Sequence, residues 1–505
     1  MMTDTFIVTI TPPTPNGDLH IGHIAGPFLA ADIFTRTQRL KGAQCYLVSY
    51  SDDYQSYLVR KALESGTDAA SLAKVNSAKI QASLRMVDIQ VDHWLESHEN
   101  PHFKDATQML YEFAQSSQLV ETQTCLEPYC EHCAVWGYEA FARGGCDHCG
   151  HSSDPSQCEF CAMAPDAREM VDLACILCSR PVVFKSAQRR MLKLPLVSQA
   201  LRERLDSSPM RPQLRAWIKD AYGRGLSDWG VTRPGEAGLK LYDDEAHRVH
   251  TWFMGQAGYF AALKELSLRG EDSRDAYELL YEENTRLVNF LGMDCSYSHV
   301  LAYPAQVLLN PRFRFKSAFY TNAFLKLDGE DFSTSRGHAI WVRDLVGDAC
   351  ADSVRFYVSL MAPEQQTENF EVQAFWVWRQ RIFGELLPKM LSALSSESVA
   401  REAHPAIVLS EFEVSLIEQW QHSARHDEFS MKGMAQVLMS ILEAIDVQLD
   451  SAQVPRSLIT LFALLGAPTL PATSQALQQR LSQAECASFR SLLGLLDTSK
   501  EGALE

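Results

Sequence analysis

Eight of the thirteen cysteines in this chain stand in four Cys-x-x-Cys pairs: Cys130/Cys133, Cys146/Cys149, Cys158/Cys161 and Cys175/Cys178. Each pair sets two thiolates on one tight turn, two corners of a tetrahedral Zn²⁺ site with Zn–S near ~2.3 Å. Eight thiolates make two closed Cys₄ sites, structural rather than catalytic because no position stays open for a substrate. The inner pairs, 146/149 and 158/161, are close in sequence and are expected to share one ion. The outer pairs, 130/133 and 175/178, then close around the second in nested fashion. His132, His148 and His151 lie in the same block and are read as non-ligands. In a long chain of cytosolic type such knuckles point to metal rather than to disulfides. Zinc of this kind contributes ~10–16 kcal/mol to folding an insertion with little apolar core of its own.

A second group with chemical potential is His20-Ile21-Gly22-His23, at a strand-to-helix turn. Free backbone N–H groups and the positive end of a helix dipole favour anions there. Gly22 lets a nucleotide approach the backbone, and two imidazoles can donate to phosphate oxygens. Such preorganised donors would stabilise charge on a pentavalent phosphate.

The elements that must hold these groups read as an alternating α/β chain. Phe6-Ile7-Val8-Thr9-Ile10 suits a buried parallel strand. A helix is expected from about His23 to Lys41, ended by Gly42. Cys45 to Tyr50 forms the next strand and empties into the loop Ser51-Asp52-Asp53. This is the opening of a doubly wound nucleotide fold, with ligands at the carboxyl ends of strands. The cysteine block from about 120 to 195 interrupts the pattern. The α/β pattern is expected to resume near Lys240, through Thr251-Trp252-Phe253 and Val300-Leu301-Ala302-Tyr303. From about 370 the chain reads as helical. Met434, Val437, Leu438, Ile441, Leu442, Ile445 and Leu449 make the apolar stripe of a bundle helix.

At 505 residues the chain is long enough for roughly three domains. With 46% hydrophobic and 22% charged residues it has the composition of a soluble globular protein. No apolar run nears the ~18 residues of a membrane span. The start, Met1 to Thr11, lacks a secretory pattern, and a cytoplasmic location is expected. A net charge of −17 argues against coating nucleic acid by bulk electrostatics, though not against a local basic track.

Thr11-Pro12-Pro13-Thr14-Pro15-Asn16-Gly17-Asp18-Leu19-His20-Ile21-Gly22-His23 resembles the first motif of the class I methionyl-tRNA synthetases. The match continues through Ser51-Asp52-Asp53 and Thr251-Trp252-Phe253-Met254-Gly255-Gln256-Ala257-Gly258-Tyr259. It ends at Phe332-Ser333-Thr334-Ser335-Arg336-Gly337, where the mobile second signature belongs. By that resemblance Asp52 holds the substrate α-amino group, and Trp252 and Tyr259 wall the thioether. Asp294 and His299 close the pocket, with Pro12 and Pro13 on its substrate side. Asn16, Gly17, His20, His23 and Thr334 face ATP, and Gly22, Ser333, Ser335 and Arg336 complete the catalytic set. The implied fold is α/β: a Rossmann-type catalytic domain with an inserted zinc-knuckle domain and a C-terminal all-α bundle. The implied boundaries are 1–118 and 239–325 for the two catalytic halves and 119–238 for the insertion. Residues 326–372 are the second-signature linker and 373–505 the bundle. The implied activity is ATP- and Mg²⁺-dependent activation of methionine and its transfer to tRNA, with two structural Zn²⁺; a monomer is the favoured state, which the sequence does not fix. The chain is expected to end with its bundle, without an appended basic domain after Glu505.

The resemblance has departures. The family's second signature carries lysines at its first and fourth positions, where this chain has Asp331 and Thr334. A lost lysine contact to the transition state is worth something like ~3 kcal/mol. Arg336, Lys326 and Arg314 are the cations at hand to replace it. The first bundle helix, Trp376 to Lys389, lacks the Asn/Arg pair that reads a CAU anticodon. Arg456 follows Pro455 where a stacking tryptophan belongs, a contact worth ~1–3 kcal/mol per base. Trp376 and Trp378 are the aromatic residues at hand, with core packing their expected role rather than stacking on bases. Tyr54-Gln55 and Met254 also depart from the family. Two further readings therefore stand beside the first. One is a paralogue that adenylates methionine or a related amino acid for another tRNA or a non-tRNA acceptor. The other is a synthetase-like binding or regulatory protein without catalysis.

Overall fold

The computed structural model describes residues 4–235, 238–242, 247–270, 275–333, 337–396, 409–451, 453–481 and 483–495. Its centre is a sheet of five strands: β1 (Thr5–Ile10), β2 (Gln44–Ser51), β3 (His93–Glu96), β4 (Thr285–Gly292) and β5 (Lys316–Asn322). Their order is β5-β4-β1-β2-β3, and every pairing is parallel. All six residues of β1 are buried, as a strand covered on both faces requires. Alternation sends Phe6, Val8 and Ile10 into one core and Ile7 into the other.

The core on the Phe6 side runs without a break through helix Leu29–Leu40 into the C-terminal helices. There Met434, Val437, Leu438, Ile441, Leu442 and Ile445 of helix Met431–Asp450 are buried, while Leu449 packs at the edge. The opposite face carries helix Gly255–Leu268 and the insertion helices Leu194–Asp206 and Pro212–Arg224. The insertion is built on two long antiparallel strands, Val120–Cys130 and Val183–Leu192. No described helix is long and apolar enough to cross a membrane.

Two local features differ from the sequence reading. The helix after the first signature begins at Ile21 rather than His23, opens into a wide turn over Ile24–Phe28, and becomes regular only at Leu29–Leu40. Pro27 has no N–H to donate. The backbone at Gly26 (φ −93°, ψ −122°) leaves the helix where the Asn322 amide presses on it, 2.6 Å from where a Cβ would stand. Residues 251–253 form a turn ahead of a helix, and 297–302 are a wide helical turn; the strands that resume the sheet are β4 and β5. Buried helices are apolar all round, so short apolar segments do not reveal their period. Trp378 packs against Phe356, Tyr357 and Phe383 in the core, its expected role, and is not a surface stacking residue.

Arg355, fully buried on helix Ala351–Leu360, ties the layers together. It donates to Asp32 Oδ2 (2.7 Å) on the first long helix, to the carbonyls of Val87 and Asp88, and to those of Pro468 and Thr469 in the bundle. Replacing Arg355 with leucine takes one donor from Asp32, which keeps Arg36 at 2.8 Å, and one from each of four carbonyls, and should cost ~2–4 kcal/mol. Chemical unfolding should register that loss, and Arg355→Lys should recover only part of it. A loss below about 1 kcal/mol would show that the bundle is held by apolar packing alone.

Candidate active site

Strands β4, β1 and β2 end side by side, and the chain reverses direction across the sheet at β1, where doubly wound folds bind ligands. The ends are pinned: Thr9 Oγ1 donates to Asn289 Oδ1 (3.0 Å), Ser49 Oγ to Ile10 O (3.1 Å) and Tyr259 OH to Ile10 O (3.2 Å). From these ends emerge the first signature, Asp52, and the segment Asp294–His299.

His20 and His23 lie with ring centroids 3.8 Å apart, and the His20 N–H donates to His23 Nδ1 (3.2 Å). His23 therefore carries its proton on Nε2. Burial, with the neighbouring His23, pulls His20 down to about 2, and burial pulls His23 down to about 4. Both are neutral donors at physiological pH, and His20 Nδ1 is buried without a partner among the described residues. A Cβ at Gly22 would stand 3.0 Å from the His20 ring and 3.2 Å from Phe332, so the signature glycine is a packing requirement.

The flanks of the second signature are fastened to the first. Phe332 stacks on His20 at 4.7 Å and 8°. Ile21 N donates to Ile340 O, Val342 N to Leu19 O, and Arg343 pairs with Asp18 at 2.6 Å. Ser333 and His338 exchange backbone hydrogen bonds across the base of the loop. Thr334, Ser335 and Arg336 lie outside the described residues. Of the other cations expected to compensate, Arg314 pairs with exposed Glu283, and Lys326 faces Asp331 across a hairpin at 4.0 Å.

The pocket side is lined by buried polar groups. Asp52 follows β2; its N–H reaches Pro13 O (3.2 Å), and Gln55 Nε2 donates to its Oδ2 (2.5 Å). Burial pushes Asp52 up to about 7, against the Gln55 hydrogen bond, and Asp53 and Glu139 add to the rise. Tyr259 is fully buried, and its OH also meets His299 Nε2 at 3.2 Å, while His299 Nδ1 faces Cys295 O. Burial keeps His299 neutral, down at about 4. Trp252, partly buried, packs on the same core beside His250. Asp294 is raised to about 6 by burial and then by Glu159; its carboxylate folds over Gly292, where a Cβ would sit 2.3 Å from Oδ1. Pro12, Pro13, Asn16 and Gly17 lie on the β1–His20 connection.

A buried ionic cluster that the sequence reading missed backs this pocket. Arg233 Nη1 donates to Glu139 (2.5 Å) and Nη2 to Tyr54 O, and His250 lies 3.5 Å from Glu139. Burial raises Glu139, but Arg233 and His250 bring it below its ordinary value. Glu139 sits at φ +43°, a strained backbone of the kind that clusters at functional sites. The partners are 94 positions apart, so no local pattern marks them.

The cysteines gather into two groups, Cys130/Cys133/Cys175/Cys178 and Cys146/Cys149/Cys158/Cys161, each with its sulfurs within 4.8 Å of one another. Sulfur pairs at 3.6, 3.7 and 3.8 Å match the ~3.8 Å edge of a tetrahedron with ~2.3 Å Zn–S bonds. The donor set thus fits zinc, and His148 turns instead to Ala164 O. The inner knuckle is fastened to the pocket: Gln157 Nε2 donates to Asp294 O (2.6 Å) and Tyr57 OH to Asp154 (2.5 Å).

The family model for tRNA synthetases class I (M) matches residues 6–394, and the chain belongs to that family. It is similar to the methionine–tRNA ligase of Thermomicrobium roseum (28% identity over 380 residues, 74% of this chain and 65% of the relative). It is also similar to those of Thermoplasma acidophilum (27%, 73% of this chain and 68% of the relative) and Pyrococcus furiosus (25%, 73% and 53%). The matched stretch thus spans 53% to 68% of the length of these curated relatives. Its fold is like that of Mycobacterium tuberculosis methionyl-tRNA synthetase in complex with methionyl-adenylate, with TM-score 0.73 at 16% identity over 98% of this chain and 97% of the other.

The position of Asp52 has a stability cost with a definite sign. Its folded pKa of about 7 lies above the ordinary 3.8, so the folded state holds the proton longer, and its contribution is lost as pH rises through 7. Asp52→Asn should therefore be more stable than the parent at about pH 8, on the order of 1–3 kcal/mol, and the gap should close below about pH 4. Thermal unfolding of both proteins across pH checks this; a gap that does not depend on pH would contradict the burial of an ionised Asp52.

Proposed function

We propose that this chain activates methionine with ATP and transfers the methionyl group to a tRNA. The observation that carries the reading is the meeting, at one switch point, of two neutral histidines beside Gly22 with a buried carboxylate. Asp52 ends the strand adjacent to β1, and Tyr259 and His299 floor the space next to it. The substrate ammonium pairs with Asp52, which its approach drives to the ionised form. Tyr259, Trp252 and His299 offer an apolar and polarizable wall to a thioether. His20 and His23, lacking charge of their own, donate hydrogen bonds to phosphate oxygens as negative charge builds there. The amino-acid carboxylate attacks the α-phosphorus and pyrophosphate leaves with the electrons of the broken P–O bond. A ribose hydroxyl of the tRNA then attacks the acyl carbon and AMP departs. No side chain becomes a nucleophile; the site positions and stabilises. ATP brings Mg²⁺, which neutralises phosphate charge when bound. Membership in the class I (M) family and the methionine–tRNA ligase names of its relatives support this reading.

Two Zn²⁺, one in each Cys₄ cluster, hold the insertion against the pocket through Gln157 and Asp154. Metal analysis of the purified protein should give two zinc per chain, and Cys158→Ser about one, with the thermal transition lowered in the variant. A single zinc in the parent protein would contradict the second site.

ATP–pyrophosphate exchange across the twenty amino acids tests the first step. Exchange is expected with methionine; none with any amino acid would leave the synthetase-like binding reading.

A second reading, of a paralogue with another acceptor, is favoured by one feature. Arg456, standing where an anticodon-stacking tryptophan belongs, is bound to Glu485 at 3.0 Å, and Trp378 is in the core. Charging of transcripts with CAU and other anticodons separates the two: efficient charging of CAU transcripts alone supports the first.

A further inference from the structure

A cleft of about 390 Å³ opens beside the first signature, within the ~300–1,000 Å³ of small-molecule sites. Its walls come from four segments. Asn16, Gly17 and Asp18 belong to the connection that runs into His20, Lys61 and Lys79 to helices Ser56–Ser65 and Ala69–Met86, and Trp341, Arg343 and Asp344 to the segment after the second signature. Trp341 makes an isolated bridge with His20, so one end of the cleft abuts the histidines.

The cleft's three cations, Lys61, Lys79 and Arg343, outnumber its two carboxylates, Asp18 and Asp344, by one. Arg343 is held by Asp18 at 2.6 Å, and Asp18 is further occupied by the Ser83 hydroxyl and the Leu19 N–H. Among the described residues the carboxylate partner of Lys61 is the half-exposed Glu64, at 3.7 Å. Lys79 reaches the amide oxygen of Asn76 at 3.3 Å and has no carboxylate partner among the described residues. Asn76 itself is buried and donates to Pro15 O, fixing the floor of the connection. Two solvent-facing ammonium groups thus converge on a cleft that begins at His20. Meanwhile the second signature offers Asp331 in place of a lysine, and the nearby Lys326 turns to that aspartate.

We propose that this cleft receives the pyrophosphate end of ATP, with Lys61 and Lys79 supplying the positive charge that Asp331 and Thr334 do not; this rests on the adenylation reading. When the amino-acid carboxylate oxygen bonds to the α-phosphorus, the α–β bridging P–O bond breaks and its electron pair leaves on pyrophosphate. That dianionic-or-greater leaving group passes from the histidines along Asn16 and Trp341 to the two lysines. Ammonium groups act there as point charges and need no bidentate geometry, so arginine can stand in for either.

The test uses the full-length chain and exchange of labelled pyrophosphate into ATP with methionine. Both lysines are exposed, and unchanged thermal transitions should confirm that Lys61→Ala and Lys79→Ala fold normally. The KM for pyrophosphate should rise about tenfold in each single variant and further in the double, with the KM for methionine unchanged. Lys79→Arg should restore most of the loss. An unchanged pyrophosphate KM in the double variant overturns the proposal. So does a rise confined to the KM for tRNA, which would make the cleft a contact for nucleic-acid phosphate. If the parent protein exchanges with no amino acid, the adenylation reading falls by itself, and inorganic pyrophosphate titrated against thermal unfolding decides the cleft. Stabilisation of the parent but not of the double variant supports it; no stabilisation of the parent overturns it.

Discussion

Parallel strands must all end on the same edge, and in this chain β4, β1 and β2 do so as immediate neighbours. Each end delivers a different part of the site: the histidine signature from β1, Asp52 from β2, and the Asp294–His299 turn from β4. Their relative positions are set by backbone registers, Thr9 opposite Asn289 on one side and Val48 on the other, and by the Thr9–Asn289 hydrogen bond between side chains. A slip of one residue would move Phe6, Val8 and Ile10 to the wrong core and carry the first signature with them. Both cores therefore police the geometry of the site.

That same burial decides the charge states. His20, His23 and His299 are stripped of their protons by desolvation, which makes them neutral donors and acceptors. Asp52, Asp154 and Asp294 are pushed up for the same reason. The exception is Glu139, kept ionised by Arg233, with which it shares a fully enclosed pair. The Glu139–Arg233 pair is thus charged and internally compensated, while burial raises Asp52 the furthest, to about 7, where it can ionise against a cation.

Much of this was legible in the residues themselves. The β1-turn-histidine pattern, the strand ending at Asp52 and the stripe from Met434 to Ile445 each announce their place through local periodicity. That CxxC turns deliver ligands two at a time, and that the close inner pairs share a cluster, was legible in the cysteine spacing. What the chain hides is of two kinds. Glu139–Arg233 and Arg355–Asp32 are long-range polar pairs, buried in pieces of sequence that look ordinary. The wide turn at Ile24–Phe28 contains Pro27 and brings Gly26 against Asn322, from a segment nearly three hundred residues away. Residues 251–253 form a turn, and 297–302 are buried on every side, so neither segment shows a one-faced helical stripe. In each case tertiary packing, not local preference, made the choice.

The account centres on Asp52 as a buried, near-neutral carboxylate that ionises to hold a substrate ammonium. Calorimetric titration of the protein with methionine, repeated in buffers of different ionisation enthalpy, measures this directly. At about pH 6 binding should release close to one proton per methionine, and at about pH 8 the release should vanish while affinity rises. Asp52→Asn should abolish both the proton release and its pH dependence. Methionine binding with no linked proton at either pH would contradict the central claim.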